Sequence, residues 1–175
     1  MDDLLPADRC RARDILDSLR SQGLVPSPWS VESFVDGISG WRGREVRLAG
    51  LDSNYWQSGG SDLLTGLLVT LEHRDYIFYR LDVSARQQEH IILHEMGHLL
   101  LGHTNSQVLS GMTGDLFDQN LVPDSTSILK ILQRTNLDVQ EEREAEAFAD
   151  AVMTSAALSR DHQTDRYNKI LGTEI

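Results

Sequence analysis

Ser84-Ala85-Arg86-Gln87 has the Ser-x-x-Gln form of a capping box, in which the two polar side chains satisfy backbone N–H groups that the first turn of a helix leaves unpaired. Gly102 follows Leu101 where a residue free to take left-handed backbone angles would end the same helix. A helix stopped at both ends, with Ile91, Ile92, Leu93, Leu99 and Leu100 on its apolar side, needs the rest of the chain to cover it. His94, Glu95 and His98 interrupt that apolar stretch, which falls far short of the ~20 residues that span a bilayer, so the covering is protein.

Two shorter helices are expected before it. Ala7 to Ser21 carries Ile15, Leu16 and Leu19 among charges and is stopped by Gly23; a second segment, capped by Ser30, places Val31, Phe34, Val35 and Ile38 at i, i+3, i+4, i+7 and is ended by Gly40 and Gly43. Val46 and Leu48 alternate with charged residues as in a short strand, and the stretch from Asp52 to Asp62 is rich in turn formers. Leu67 to Leu71 and Tyr76 to Tyr79 are β-rich runs joined by Glu72-His73-Arg74-Asp75, which reads as a hairpin.

Downstream, Thr104 to Asp124 reads as a long loop and Ser125 to Gln133 as a short helix. Val139 to Leu158, free of Gly and Pro, predicts a long helix, with a polar tail from Ser159. The expected fold is α+β, a mostly helical single domain over 1–175 with its core at about 30–158, in which a small antiparallel sheet or hairpin packs beside the capped helix. At 175 residues such a chain buries roughly 70% of its extended surface and needs no disulfides; its one cysteine, Cys10, has no partner within the chain.

The capped helix carries His94-Glu95-Met96-Gly97-His98, an H-E-x-x-H pattern. At ~100° per residue, positions i and i+4 lie about 40° apart and one turn above each other, so two imidazoles can share one Zn²⁺. Glu95, between them, can reach a water on that metal as a general base. With 6 His and 10 Glu in the chain, chance supplies such a pattern on the order of 0.01 times, and rarely on a well-capped helix. His90 lies one turn before His94, and His103, on an ideal helix, points about 180° away from it. Both read as surface histidines flanking the site.

A catalytic zinc usually takes three protein ligands and keeps a fourth position open, so a further ligand has to come from elsewhere. Glu142, Glu146 and Asp150 lie on one face of the downstream helix, 44 residues and more after His98, with small Ala145 and Ala149 beside them to allow close helix approach. Two registers fit: Glu142 as ligand with Glu146 behind it, holding a ligating imidazole by its Nδ1–H, or Glu146 as ligand with Asp150 behind it. Glu144, rotated ~200° from Glu142, cannot serve the same metal from a straight helix. Tyr76, Tyr79, His73, His162 and Tyr167 could each donate to an oxyanion, and nothing in their spacing selects one. The hairpin offers an edge strand along which an extended peptide could pair.

The two motifs in this order, Arg86 to His98 after a hairpin and then Glu142-Arg143-Glu144-Ala145-Glu146-Ala147-Phe148-Ala149, resemble the ImmA/IrrE family of zinc metallopeptidases over about residues 30 to 155. The resemblance implies one Zn²⁺ per chain held by His94, His98 and Glu142, with Glu95 as the catalytic base. It also implies an endopeptidase whose protein substrate is a specific regulator such as a helix-turn-helix repressor, or a zinc-bearing interaction module that controls such a regulator without cutting it. Glu146 stands where the family has Asn or Asp, and Met153-Thr154-Ser155 where it commonly has Leu-Met-Pro.

Against 27 acidic residues stand only 16 Lys and Arg, a formal net charge of −11, which repels nucleic acid and anionic lipid at long range. No direct nucleic-acid or membrane partner is expected. The acidic start, Met1-Asp2-Asp3, lacks the basic and apolar regions of a signal peptide, and a cytoplasmic location is expected.

Overall fold

The computed structural model describes residues 6–53, 56, 65–71, 74–103, 107–108 and 138–171, with side chains described as far as 159. The order is α1 (Pro6–Ser21), α2 (Val31–Arg42), β1 (Glu45–Leu51), β2 (Gly66–Thr70), β3 (Arg74–Arg80), α3 (Ala85–Leu101), β4 (Gln107–Val108) and α4 (Val139–Leu171). Local chemistry sets the ends as expected, except that α2 runs through Gly40, one of its two expected stops, and ends at Gly43 alone. The Ser30 hydroxyl accepts from the Ser33 N–H at 3.2 Å to open α2, and Gly43 closes it at φ 63°. The expected loop from Thr104 to Asp124 lies outside the described residues apart from β4, as does the expected helix from Ser125 to Gln133.

The fold is α+β, as expected, but its sheet is mixed where an antiparallel one was expected. The strand order is β1-β3-β2-β4: β2 and β3 form the antiparallel hairpin, while β1 runs parallel to β3, pairing Leu48 with Ile77, and β4 runs parallel to β2. The sequence pattern marks where strands are and leaves the neighbour and direction of β1 open, because both depend on how the chain between β1 and β2 crosses β3. The hairpin strands are apolar at nearly every position because both of their faces are covered. Leu68 and Ile77 face the helices, whereas Leu67, Val69, Tyr76 and Phe78 join Leu51 and Trp56 in a second cluster on the other face.

The main core lies between the sheet and the helices. It takes Phe34, Val35 and Ile38 from α2, Ile92, Leu93 and Met96 from α3, and Phe148, Ala149 and Val152 from α4. Helix α1 adds Ala12, Leu16 and Leu19 to the same core, although it precedes residue 30, where the core was expected to begin. Helix α4 also passes the expected end at Leu158 and continues to Leu171. Residues 159 to 171 are polar but contain neither Gly nor Pro, so nothing in their backbone chemistry stops a helix before Gly172. Among the described residues no helix is long and apolar enough to cross a membrane.

One buried charge ties the end of α2 to the hairpin. The Asp75 carboxylate is wholly buried at the start of β3; it accepts from Arg42 Nη1 at 2.7 Å and from Arg44 Nε at 3.0 Å, and Arg44 also donates to the Leu71 carbonyl. Removing the charge of Asp75 leaves two guanidinium groups crowded at one place, a loss of about 3 kcal/mol for a broken buried pair. Asp75→Asn should therefore lower the unfolding free energy obtained from denaturant titration by that amount, and a change below about 1 kcal/mol would show that the pair does not hold the hairpin to α2.

Candidate metal centre

Helix α3 opens with the capping box seen in the sequence: the Gln87 N–H donates to Ser84 Oγ at 3.3 Å, and the Ser84 N–H to Gln87 Oε1 at 3.1 Å. Beyond its first turns it is buried on nearly every side, with Ile91, Ile92, Leu93, Glu95, Met96, Gly97, His98 and Leu101 all inside and His94 half open. Burial on that scale requires a neighbour that comes very close. A methyl group on Gly97 would stand 3.0 Å from Ala145 Cα and 3.1 Å from the Ala145 carbonyl oxygen, so α3 and α4 touch backbone to backbone. The small residue the sequence offers at Ala145 serves this approach.

The contact brings His94, His98 and Glu142 together as a group able to hold a metal ion. His94 Nε2 lies 3.1 Å from His98 Nε2 and 3.2 Å from Glu142 Oε2, and His98 Nε2 lies 3.4 Å from Glu142 Oε1. Asp138 makes Glu142 available by capping α4, accepting from the N–H groups of Gln140 and Glu141 on Oδ1 and from that of Glu142 on its carbonyl. On the far side of His94, Nδ1 faces Glu146 Oε2 at 3.3 Å. Of the two registers open in the sequence, these distances match Glu142 toward the ligating nitrogens with Glu146 behind His94. Asp150 instead stands 3.9 Å from His90 Nε2, beside Glu146 at 3.3 Å, in a second, more exposed group of possible ligands.

Two ring nitrogens and a carboxylate pointed at one another call for a positive charge between them. Burial works against a charged His94, yet Glu142 and Glu146 outweigh it and raise the imidazole to about 10. Burial and then the neighbouring His94 push His98 down to about 4. Glu142 is lowered by His94 and His98 against the effect of its own burial, and Glu146 is held far below the usual carboxylate range, first by His90 and then by His94. One proton on His94 fills this demand, and a metal cation fills it by displacing that proton.

The Glu95 carboxylate lies against β2. Its carboxylate receives a hydrogen bond from the Leu68 N–H, and a methyl group on Gly66 would come within 2.6 Å of Glu95 Oε1, so the bare backbone of β2 is what admits this side chain. Burial, reinforced by Glu142, pushes its carboxyl up to about 7 against the pull of His94. A divalent cation nearby would draw it back toward the anion that a base requires. The edge-strand expectation is met only in part: β1 covers β3, and β4 covers β2 at Val69 and Thr70, so among the described residues only Gly66 to Leu68 lack a partner on that side.

His90 is half-buried at the rim, in keeping with a flanking histidine. His103 is not on the surface at all: its side chain is 4% exposed. It follows Gly102, whose left-handed turn, at φ 70°, lets the His103 N–H donate to the His98 carbonyl at 3.1 Å and folds the ring back against His98. A helical wheel carried past the helix end misplaced it. His103 Nδ1 lies 3.0 Å from His98 Nδ1 and His103 Nε2 lies 3.2 Å from Glu144 Oε2. Glu144 thus stays away from the ligand face, as its rotation implies, and still reaches the site through His103. Of the candidate oxyanion donors, His73 and the side chains of His162 and Tyr167 lie outside the described residues.

Comparison with family models, with curated proteins and with solved structures finds no match to this chain.

The contact between Gly97 and Ala145 can be tested against a helical glycine with open space around it. Gly97→Ala should cost about 1–3 kcal/mol by overpacking and weaken metal binding by moving Glu142 away. Gly40→Ala in α2, where nothing lies within 4 Å of the added methyl, should stabilise by about 0.5–1 kcal/mol and leave metal binding unchanged. Equal behaviour of the two variants in thermal unfolding and zinc titration would refute the close contact.

Proposed function

We propose that this protein is a zinc-dependent endopeptidase of the ImmA/IrrE type, with one Zn²⁺ held by His94, His98 and Glu142 and with Glu95 as its general base. The observation that carries the reading is the spacing of the three ligand groups. Donors about 2.0–2.1 Å from a tetrahedral zinc stand about 3.3–3.4 Å apart, close to the 3.1, 3.2 and 3.4 Å between these atoms. His94 and Glu142 keep part of their surface in solvent, which leaves a side open for water and substrate.

A zinc ion held by His94, His98 and Glu142 would polarise a carbonyl and lower the pKa of a bound water toward ~7. Glu95 takes the proton released as the water attacks the scissile carbon and returns it to the departing amine, so one buried carboxyl serves first as base and then as acid. The edge of β2 from Gly66 to Leu68 has no strand partner among the described residues and lies against this side chain; apart from the Leu68 N–H, which Glu95 takes, it can pair with an extended peptide. A cavity of about 600 Å³ opens on the same side, with Val83, Ile91, Met153 and Leu158 as apolar walls and Arg86 and His90 among its polar ones. The substrate proposed from the family resemblance is a regulatory protein such as a helix-turn-helix repressor, cleaved in the cytoplasm. With a net charge of −11, any effect on DNA runs through that partner.

Metal analysis and cleavage separate the roles. Wild type and Glu95→Gln should each carry one zinc per chain, and Glu142→Ala should lose it. Cleavage of a co-expressed repressor encoded beside the protein should fall by about 10²–10⁴-fold in Glu95→Gln, as expected for a lost general base. Zinc bound without cleavage of that repressor would favour the interaction module, and the absence of any bound divalent cation in wild type would sink the proposal.

A further inference from the structure

We infer that His103, anchored by Glu144 and Arg11, is a positioning residue that fixes the tautomer and ring orientation of His98, so that helix α1 helps to set the metal affinity of a site it does not touch. The inference rests on the metal-site reading above and adds to it a residue that contacts neither metal nor substrate.

The chain of donors runs from the surface at Arg11 inward to His98. Arg11, from α1, makes an ion pair with Glu144 Oε2 and also donates to the Leu101 carbonyl at 3.4 Å, while Gln140 Nε2 donates to Glu144 Oε1 at 3.0 Å. With donors on both oxygens, Glu144 stands as a carboxylate and can only accept. His103 Nε2, 3.2 Å away, must therefore be the donor. A neutral imidazole that carries its proton on Nε2 has a lone pair on Nδ1, and that lone pair faces His98 Nδ1 at 3.0 Å. His98 then donates from Nδ1, and its Nε2 lone pair is left pointing at His94 and Glu142. That is the tautomer a metal ligand needs.

The support is internal, whereas that of the other ligating histidine is not. Side-chain exposure is 4% for His103 and 10% for Glu144, against 43% for Glu146 behind His94. Gln140 also donates to Asp8 Oδ1 at 2.7 Å, so a second residue of α1 holds the same turn of α4. Only the left-handed turn at Gly102 lets one chain supply both the ligand and its support five residues later.

The test is zinc affinity of the full-length protein, read by chelator competition at fixed pH with Zn²⁺ alone. His103→Leu keeps the bulk and removes the acceptor; it should weaken zinc binding by about 10–100-fold. His103→Asn, whose amide oxygen falls near the position of Nδ1, should restore affinity to within about 3-fold of wild type, a rescue that simple packing would not give. Thermal unfolding in chelator should show both variants folded with similar midpoints. If His103→Leu does not fold, Arg11→Met and Glu144→Gln act on the same chain from further out, and each should weaken zinc binding with the metal-free midpoint kept. Unchanged affinity in His103→Leu, or in both outer variants where they are needed, or an equal loss in His103→Leu and His103→Asn, would overturn the positioning role and leave the metal site standing. Wild type that binds no zinc would remove both.

Discussion

The backbone contact between Gly97 on α3 and Ala145 on α4 is the constraint on which the site depends. Two helices carrying ordinary side chains at their crossing keep their axes about 8–10 Å apart. Here a glycine meets an alanine, and the axes can close until the backbone of one helix rests on the other. Glu142 sits one turn before Ala145, and His94 and His98 lie on either side of Gly97, so the place of closest approach also sets the distances between the ligand groups. Phe148 and Val152, fully buried one and two turns further along α4, continue the same seam into the apolar core. Polar site and hydrophobic core are therefore two stretches of one helix interface.

That placement explains why such a costly group of charges is tolerated. Carboxylates and imidazoles taken out of water destabilise a fold unless each finds a partner, and every one of these has one. Glu142 faces both histidines, Glu146 divides its oxygens between His90 and His94, and Glu144 is held by Arg11, Gln140 and His103. His94 and His90, whose imidazoles the carboxylates raise, act as the positive members of an otherwise acidic cluster. Glu95 differs, since its neighbours on β2 are mostly apolar and its main polar contact there is one backbone N–H. Its carboxyl is accordingly the one that burial raises most plainly.

What the sequence made legible was whatever is written locally. The capping box at Ser84 and Gln87, the stop at Gly102, the cap at Ser30 and the i, i+4 spacing of His94 and His98 are decided by residues within one or two turns, and the fold carries each of them. The opposed positions of Glu142 and Glu144 on α4 were legible for the same reason. The direction of β1 was not, because it depends on a crossing between strands far apart in sequence. The run of α4 beyond Leu158 was masked by polar composition, although the absence of Gly and Pro before Gly172 was the relevant signal. His103 was misread because its direction was taken from a helix that had already ended. The sign of that was Gly102 itself: a residue just after a left-handed stop is returned toward the last turn and leaves the wheel.

The two histidines of the candidate metal group, His94 and His98, are thus supported in different ways, and the difference gives the site a direction. His98 is backed by the buried His103 and Glu144, which Arg11 of α1 closes off from the surface, so its ring has little freedom. His94 is backed by Glu146, which is partly in solvent and shared with His90. The cavity between the first turns of α3 and the middle of α4, with His90 and Asp150 on its wall, lies on this second side. A ligand arriving there meets the groups that can adjust, while the groups that hold their geometry lie behind the candidate metal group. Rigidity inward and accommodation outward both follow from the fact that α4 is covered by α1 along one face and left open along the next.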